Sequence, residues 1–467
     1  MKKLIIPALT SISLLFITGC PGLAIDGRPP EYSVSNPSMV PDGAGGIIVV
    51  YQVNKGNTGS TYLQRLGKNG ETLFGEKGIE LKSGPQGFPC SGEKECVLIL
   101  DEGNRNFVTV YNLKDGLWTQ KLDMEGNSVW PEGKKKVSDT IPPPGRFRAV
   151  SDNSGSTIIV WSGWQENINL QRIDKKGRLQ WNTSITAEVD KFDIACDASG
   201  STFVIWKDSP SYSEGDIFVQ KIEADGQITW PAGGLLLTDE ANPGYVGGSF
   251  DHRIVSDGDG GVLCTWLQAI LSEDGRKITG FNPYVQRING KGEMLWGPGG
   301  VLITGITGVQ EPRIVVNNSD SVLVFWDDKH AVYAQKIDIL GKISWPGAGL
   351  EIAQTGNIVY YSVTDDGANG AVVVWNCSED GHIFLRAQRL DSEGSSLWGD
   401  NGIKVSTVSP YWAKYSVPAR ISRDGTGGYV IAWASGNNIM DRTSSYIQRI
   451  SPEGKLLWGE DGIKLGQ

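Results

Sequence analysis

Gln286-Arg287-Ile288-Asn289-Gly290-Lys291-Gly292-Glu293-Met294-Leu295-Trp296 is one of eight copies of a single frame in a chain of 467 residues. The leading Gln recurs at Gln64, Gln120, Gln171, Gln220, Gln335, Gln388 and Gln448, each followed by Lys or Arg and then Ile or Leu. A Gly stands six residues on, at Gly70, Gly126, Gly177, Gly226, Gly292, Gly341, Gly394 and Gly454. Four further on is an aromatic: Phe74, Trp130, Trp181, Trp230, Trp296, Trp345, Trp398 and Trp458. Spacing this regular marks a repeat protein. Length alone suggests about three domains, but a ring of small repeated sheets runs this long as one unit.

Working outward, a second frame precedes each Gln. An acid or amide stands nine residues before an aromatic: Asp42 and Tyr51, Glu102 and Tyr111, Asp152 and Trp161, Asp197 and Trp206, Asp257 and Trp266, Asn317 and Trp326, Asp366 and Trp375, Asp424 and Trp433. A turn, usually Gly-rich, follows the acid, as in Asp257-Gly258-Asp259-Gly260-Gly261, and a β-rich run such as Val262 to Trp266 follows the turn. Short apolar runs flanking a Gly-rich turn predict a hairpin, strands A and B. The Gln frame supplies a second hairpin. Strand C carries an aromatic two residues before Gln in six repeats, the fixed Gly makes the turn, and strand D is expected to carry the repeated aromatic.

Each unit of about 55 residues therefore holds four antiparallel strands, and one such sheet cannot bury both of its faces. Stacking eight sheets around an axis does, which predicts an all-β, eight-bladed β-propeller of four-stranded antiparallel blades. The units run 36–83, 87–139, 146–190, 191–239, 251–305, 311–354, 357–407 and 418–467. The array starts on a strand A and ends on a strand D, so closure is expected to come from side-chain packing between the first and last blades. The A-to-B and C-to-D turns keep one length. From the strand B aromatic to Gln the count runs from 9 (Tyr111 to Gln120) to 20 (Trp266 to Gln286), and the D-to-A connections vary too. One rim is thus invariant and the other carries the variation, where binding usually resides.

Residues 1–19 read as a signal segment: Lys2 and Lys3, then a short apolar run from Leu4 to Phe16. The following Ile17-Thr18-Gly19-Cys20 resembles the lipobox of bacterial lipoproteins, which implies cleavage before Cys20 and lipid on that cysteine. Several acyl chains at about 0.8 kcal/mol per buried methylene hold a protein on a membrane. Residues 20–35 then read as a lipidated tether and 36–467 as the propeller, in the cell envelope on the extracytoplasmic side. Cleavage removes two lysines and no acid, taking the formal charge from −10 to −12. An acidic chain makes nucleic acid a poor partner. Of the remaining cysteines only Cys90 and Cys96 are close in sequence, and Cys264 fills a slot that is Val or Ile in most repeats, as a core residue would.

A Gly followed four residues later by a Trp on the outer strand resembles the tryptophan-docked blades of quinoprotein-like propellers. Eight blades behind a lipobox are similar to the propeller lipoprotein of the bacterial outer-membrane assembly machinery. The resemblance covers the repeat frame, and the Gln-Lys/Arg element departs from the usual Ala-Leu-Asp pattern, so it implies architecture alone.

For chemistry, Arg148, Arg253, Arg313 and Arg420 share one slot on strand A, four residues before the turn acid or amide, with Asp193 in that slot in the fourth repeat. Strand A is innermost in a propeller, so these residues read either as an anion site in the central channel or as bonds between neighbouring blades. Trp164 and Trp412 stand outside every repeated slot, Trp412 beside Tyr411, and both belong to the variable rim. They read as platforms for a sugar or a protein partner, or as loop packing. The Asp257 turn resembles the start of a calcium loop but has Gln268 at the twelfth place, where such a loop needs Glu. His252, His330 and His382 are scattered and no CxxC pair exists, so no metal or cofactor is expected. The reading is a lipid-anchored binding or scaffolding module. The competing class is a hydrolase or lyase acting on a carbohydrate or other anionic substrate at the channel mouth.

Overall fold

A computed structural model describes residues 33–55, 58–85, 96–100, 106–143, 146–152, 154–163, 167–208, 215–238, 252–272, 277–306, 308–316, 320–354, 360–379, 382–408, 419–435 and 444–466. These form thirty-two strands, numbered β1 to β32 along the chain, in eight four-stranded sheets. Every sheet takes its strands in sequence order and every pairing is antiparallel, as in β1 (Ser33–Pro41), β2 (Ile47–Lys55), β3 (Thr58–Leu66) and β4 (Ile79–Pro85). The eight blades expected from the repeats are the eight sheets observed. No helix among the described residues is long and apolar enough to cross a membrane.

The first strands of the blades are β1, β5 (Cys96–Leu100), β9 (Phe147–Ser151), β13 (Val189–Cys196), β17 (Arg253–Ser256), β21 (Gln310–Val316), β25 (Tyr361–Asp365) and β29 (Arg420–Arg423). Each touches the next around a closed cycle, with β29 returning to β1, so these strands are innermost and surround the axis. Eight apolar clusters lie between consecutive blades, one per interface. The seam joins Ile47, Val49, Tyr51 and Leu66 of the first blade to Val430, Ala432, Ile447 and Trp458 of the last. Among the described residues no strand crosses it, and side-chain packing joins the two blades. Cys264 is fully buried in the cluster between the fourth and fifth blades. Cys90 lies outside the described residues.

The repeated aromatic does not sit where the sequence frame places it. Except for Trp181, inside β12 (Leu179–Ile185), it precedes strand D and belongs to the C-to-D turn. The cause is the frame Gln, which reaches across that turn. Gln286 Nε2 donates to the Gly297 carbonyl, and Gln286 Oε1 accepts the amides of Arg287 (2.9 Å) and Trp296 (3.1 Å). The same clamp recurs at Gln64 and Gln448. These Gln side chains are buried, so they need such partners.

Antiparallel order places all A-to-B and C-to-D turns on one rim and all B-to-C and D-to-A connections on the other. The first set varies little: the A-to-B turns have four or five residues, and the C-to-D turns eleven or twelve except for five in the third blade, where β12 begins early. The second runs from two residues between β6 (Asn106–Leu113) and β7 (Gly116–Asp123) to sixteen between β16 (Leu235–Leu236) and β17.

Candidate functional site

The uniform rim is consumed by the scaffold. Asp257 Oδ1 accepts the amides of Asp259 (2.9 Å) and Gly261 (2.8 Å), and Asp257 Oδ2 meets Arg287 Nε at 2.8 Å. The residue after the frame Gln thus ties hairpin C–D to hairpin A–B of its own blade. The pairing repeats at Asp42–Arg65, Asp152–Arg172, Asp366–Arg389 and Asp424–Arg449. Three of these arginines also donate to a carbonyl of the next blade: Arg65 to Met124, Arg389 to Pro452 and Arg449 to Lys68. Both oxygens of Asp257 are therefore engaged by protein groups, and the turn that resembles a calcium loop is a capped hairpin turn. Among the described residues no group of three or more His, Cys, Asp or Glu is placed to hold a metal.

The repeated aromatics are blade-to-blade packing. Trp296 Nε1 donates to the Ile339 carbonyl of the next blade at 3.1 Å, and the Trp296 ring lies against Gly341, whose φ is 82°. A Cβ at Gly341 would come within 2.7 Å of the ring, so only glycine fits there. The sequence frame showed both residues; the fold shows that they face each other across consecutive blades.

The other group of interest is the arginine layer. Arg148 pairs opposite Val160, Arg253 opposite Thr265, Arg313 opposite Phe325 and Arg420 opposite Ala432. Each of those partners immediately precedes the strand B aromatic, so the four arginines occupy one level of the inner wall. Asp193, opposite Ile205, holds that level in the fourth blade, and Ser38, Val97 and Ser362 hold it in the first, second and seventh. Arg253 and Arg420 are the first residues of β17 and β29, and Arg148 is the second of β9. Strand A is entered from the variable rim, so the layer lies toward that end of the channel.

Among the described residues, the contacts of these arginines are with protein groups. Arg148 Nε lies 3.9 Å from Asp193 Oδ1 and its guanidinium rests over the Phe192 ring, bridging the third and fourth blades. Arg313 Nη2 meets Glu311 Oε2 at 2.6 Å. Arg148 and Arg253 each donate from Nη1 to the carbonyl of the preceding residue at 3.1 Å. Among the described residues no carboxylate is paired with Arg420.

The field at this level is positive. Burial, then Arg313, Arg253 and Arg148, pull the Arg420 guanidinium down to about 10, with Glu311 opposing. Burial, then Arg253, Lys191, Arg148 and Lys207, push buried His252 down to about 3, so its imidazole is neutral. Burial raises the Tyr361 phenol well above its ordinary range; its hydroxyl donates to the carbonyls of Phe325 (2.9 Å) and Glu311. Glu311 has a φ of 46° at an irregularity in the pairing between Gln310 and Arg313. Neither Glu311 nor His252 is singled out by a repeat frame, since each occurs once; the only sequence signal is adjacency to the arginine slot.

Of the residues expected to bind a ligand, Arg148, Arg253, Arg313 and Arg420 are thus brought to one level. Trp164, Tyr411, Trp412 and Cys20 lie outside the described residues, as do Tyr212 and Tyr245. Phe281 is half-buried against the cluster between the fifth and sixth blades.

The molecule is an eight-bladed β-propeller. Among solved structures it is similar to the BP39L lectin from Burkholderia pseudomallei, with a TM-score of 0.53 and 11% identity over 80% of this chain and 99% of the lectin. It is also similar to the Hadza microbial sialidase Hz136 (TM-score 0.38, 12% identity, 73% of this chain and 75% of that one). A third is prolyl oligopeptidase B from Galerina marginata (TM-score 0.46, 9% identity, 94% of this chain and 52% of that one). No protein-family model matches the chain, and no curated protein matches it in sequence. At these identities the lectin likeness speaks to fold alone.

Proposed function

We propose that this propeller is a binding or scaffolding module, held on the extracytoplasmic side of a bacterial membrane by lipid on Cys20, and that it engages its partner through the variable rim. The observation that carries the reading is the inequality of the two rims. On one, the conserved-length turns spend their Asp, Gln, Arg and Trp side chains on the scaffold, as in Asp257–Arg287 and the Gln286 clamp. On the other, connections of two to sixteen residues hang on the same rigid strands. A rigid ring with one free edge is the arrangement that recognition surfaces use, and a lectin shares the fold. The partner is a protein or a carbohydrate of the cell envelope.

The test uses the full chain, solubilised from membranes in detergent, to capture envelope proteins and glycans. Trp164→Ala and Trp412→Ala should each lower capture at least tenfold, while Lys176→Gln on the uniform rim should not. Unchanged capture in both tryptophan variants defeats the rim reading. The anchor is checked separately: mass spectrometry of the N-terminal peptide should find acyl chains on Cys20, and Cys20→Ser should leave the precursor uncut and unlipidated.

A further inference from the structure

We propose that Arg148, Arg253, Arg313 and Arg420 form an anion-binding site inside the ring, toward its variable rim, and that it takes a compact dianionic oxyanion: phosphate, free or as a phosphomonoester. The site is built from strands, so it stands apart from the rim loops and from the function proposed for them.

The first ground is position. Four of eight equivalent register positions carry a guanidinium at one level, on blades three, five, six and eight. The scaffold does not need it there. Ser38, Val97 and Ser362 occupy the same level in other blades, and those blades fold into the same four strands. Arginine at this level is therefore a departure from what packing requires.

The second ground is charge. Among the described residues Asp193 stands beside Arg148 and Glu311 is on Arg313. Four guanidiniums gathered at one level present a charge that a dianion complements. At Arg420 burial, and then the charges of Arg313, Arg253 and Arg148, pull the guanidinium down to about 10, with Glu311 opposing. Like charges held together cost free energy that an opposite charge at their centre returns. Lys191 and Lys207, both acting on His252, extend the positive field beside the third to fifth blades, while Asp327 joins Glu311 in acting on Tyr361.

The third ground is preorganisation. A guanidinium has five donors in a planar fork that matches two oxygens of a phosphate. In Arg148 and Arg253 one donor is anchored on the preceding carbonyl, which fixes the plane of the fork. Glu311, with a φ of 46° at the register irregularity before Arg313, holds the Arg313 guanidinium by its Nη2.

Binding is measured by calorimetry on the full chain in detergent at low ionic strength, titrating inorganic phosphate in one arm and glucose 6-phosphate in another. Saturable binding of about one phosphate per chain is expected, weakened at least tenfold by Arg420→Gln and by Arg253→Gln and unaffected by Lys176→Gln. Ser362→Asp keeps every arginine and sets a carboxylate at the same level, so it should also abolish binding, and it guards against arginine variants that fold poorly. Equal affinity in the two arms identifies the free ion; tighter glucose 6-phosphate identifies a phosphomonoester. Absence of saturable binding in either arm overturns the site, as does undiminished binding in Ser362→Asp. Neither result touches capture by the rim, whose tryptophan variants are scored separately.

Discussion

Trp458 Nε1 donates to the Lys68 carbonyl at 3.0 Å, across a separation of 390 residues, and this contact marks the seam of the ring. The Trp458 ring also faces Gly70, whose φ is 89°, and packs with Ile47, Val49 and Leu66. Among the described residues no strand bridges the seam, so contacts of this kind hold it. Trp458→Ala should cost about 3–5 kcal/mol of stability by urea unfolding. Hydrogen exchange should accelerate in the first and last blades together. Acceleration confined to the last blade would mean that the ring does not close through this residue.

Gly341 and Gly347 separate two effects that sequence reading merges. Both have positive φ, 82° and 65°, but Gly341 lies against Trp296 whereas a Cβ on Gly347 would meet nothing within 4 Å. Gly347→Ala should cost about 1–2 kcal/mol, the backbone term alone. Gly341→Ala should cost about 1–3 kcal/mol more, from forcing the neighbouring blade's tryptophan outward. Equal midpoints in thermal unfolding would show that the turn, and not the docking, demands glycine.

The Asp424–Arg449 pair should behave as a buried ion pair. Asp424 Oδ2 is 2.7 Å from Arg449 Nη2, and the side chains are 0% and 14% exposed. Asp424→Asn keeps the amide bonds to Thr426 and Gly428 but leaves a buried cation, at about 3–5 kcal/mol. Arg178–Asp174 has similar geometry, but Arg178 is 69% exposed, so Arg178→Gln should cost less than about 1 kcal/mol. A double-mutant cycle with Arg449→Gln measures the coupling; a value as small as that of the exposed pair would refute the assignment.

The blade count, the order of strands and the two unequal rims were legible because each is written in local spacing: Gly at the turn, aromatics at fixed offsets, apolar residues in short runs. Pairings between hairpins were not. Asp152 meets Arg172 after 20 residues and Asp257 meets Arg287 after 30, because the intervening connection varies, so no single offset reveals the bond. The signal was nevertheless present, since both partners occupy invariant slots. The Trp placement was misread for a related reason: strand D begins only after the Gln286-type clamp releases the chain. In the arginine layer the shared slot was visible, but Glu311 meets Arg313 at a break in register just before that slot, which recurs in β1 and β13 without a shared residue type to announce it.

His252 should give the ring a pH dependence of its own. It is buried, and burial followed by the charges of Arg253, Lys191, Arg148 and Lys207 pushes it down to about 3, against 6.5 for an ordinary histidine. Between those values the unfolded chain binds a proton that the folded chain refuses, so stability falls as pH drops from about 6.5 toward 3. The slope approaches about 1.4 kcal/mol per pH unit. Asp152 contributes in a lower window: burial raises it, the bonds from Ser154 and Arg172 outweigh burial and lower it, and its stabilisation is lost only below the usual carboxylate range. Urea midpoints measured from pH 4.5 to 7.5 isolate the histidine. The wild type should weaken steadily toward acid, and His252→Gln should flatten that limb. Parallel curves for the two proteins would show that another group takes up the proton and that the imidazole is not held neutral against the cationic wall.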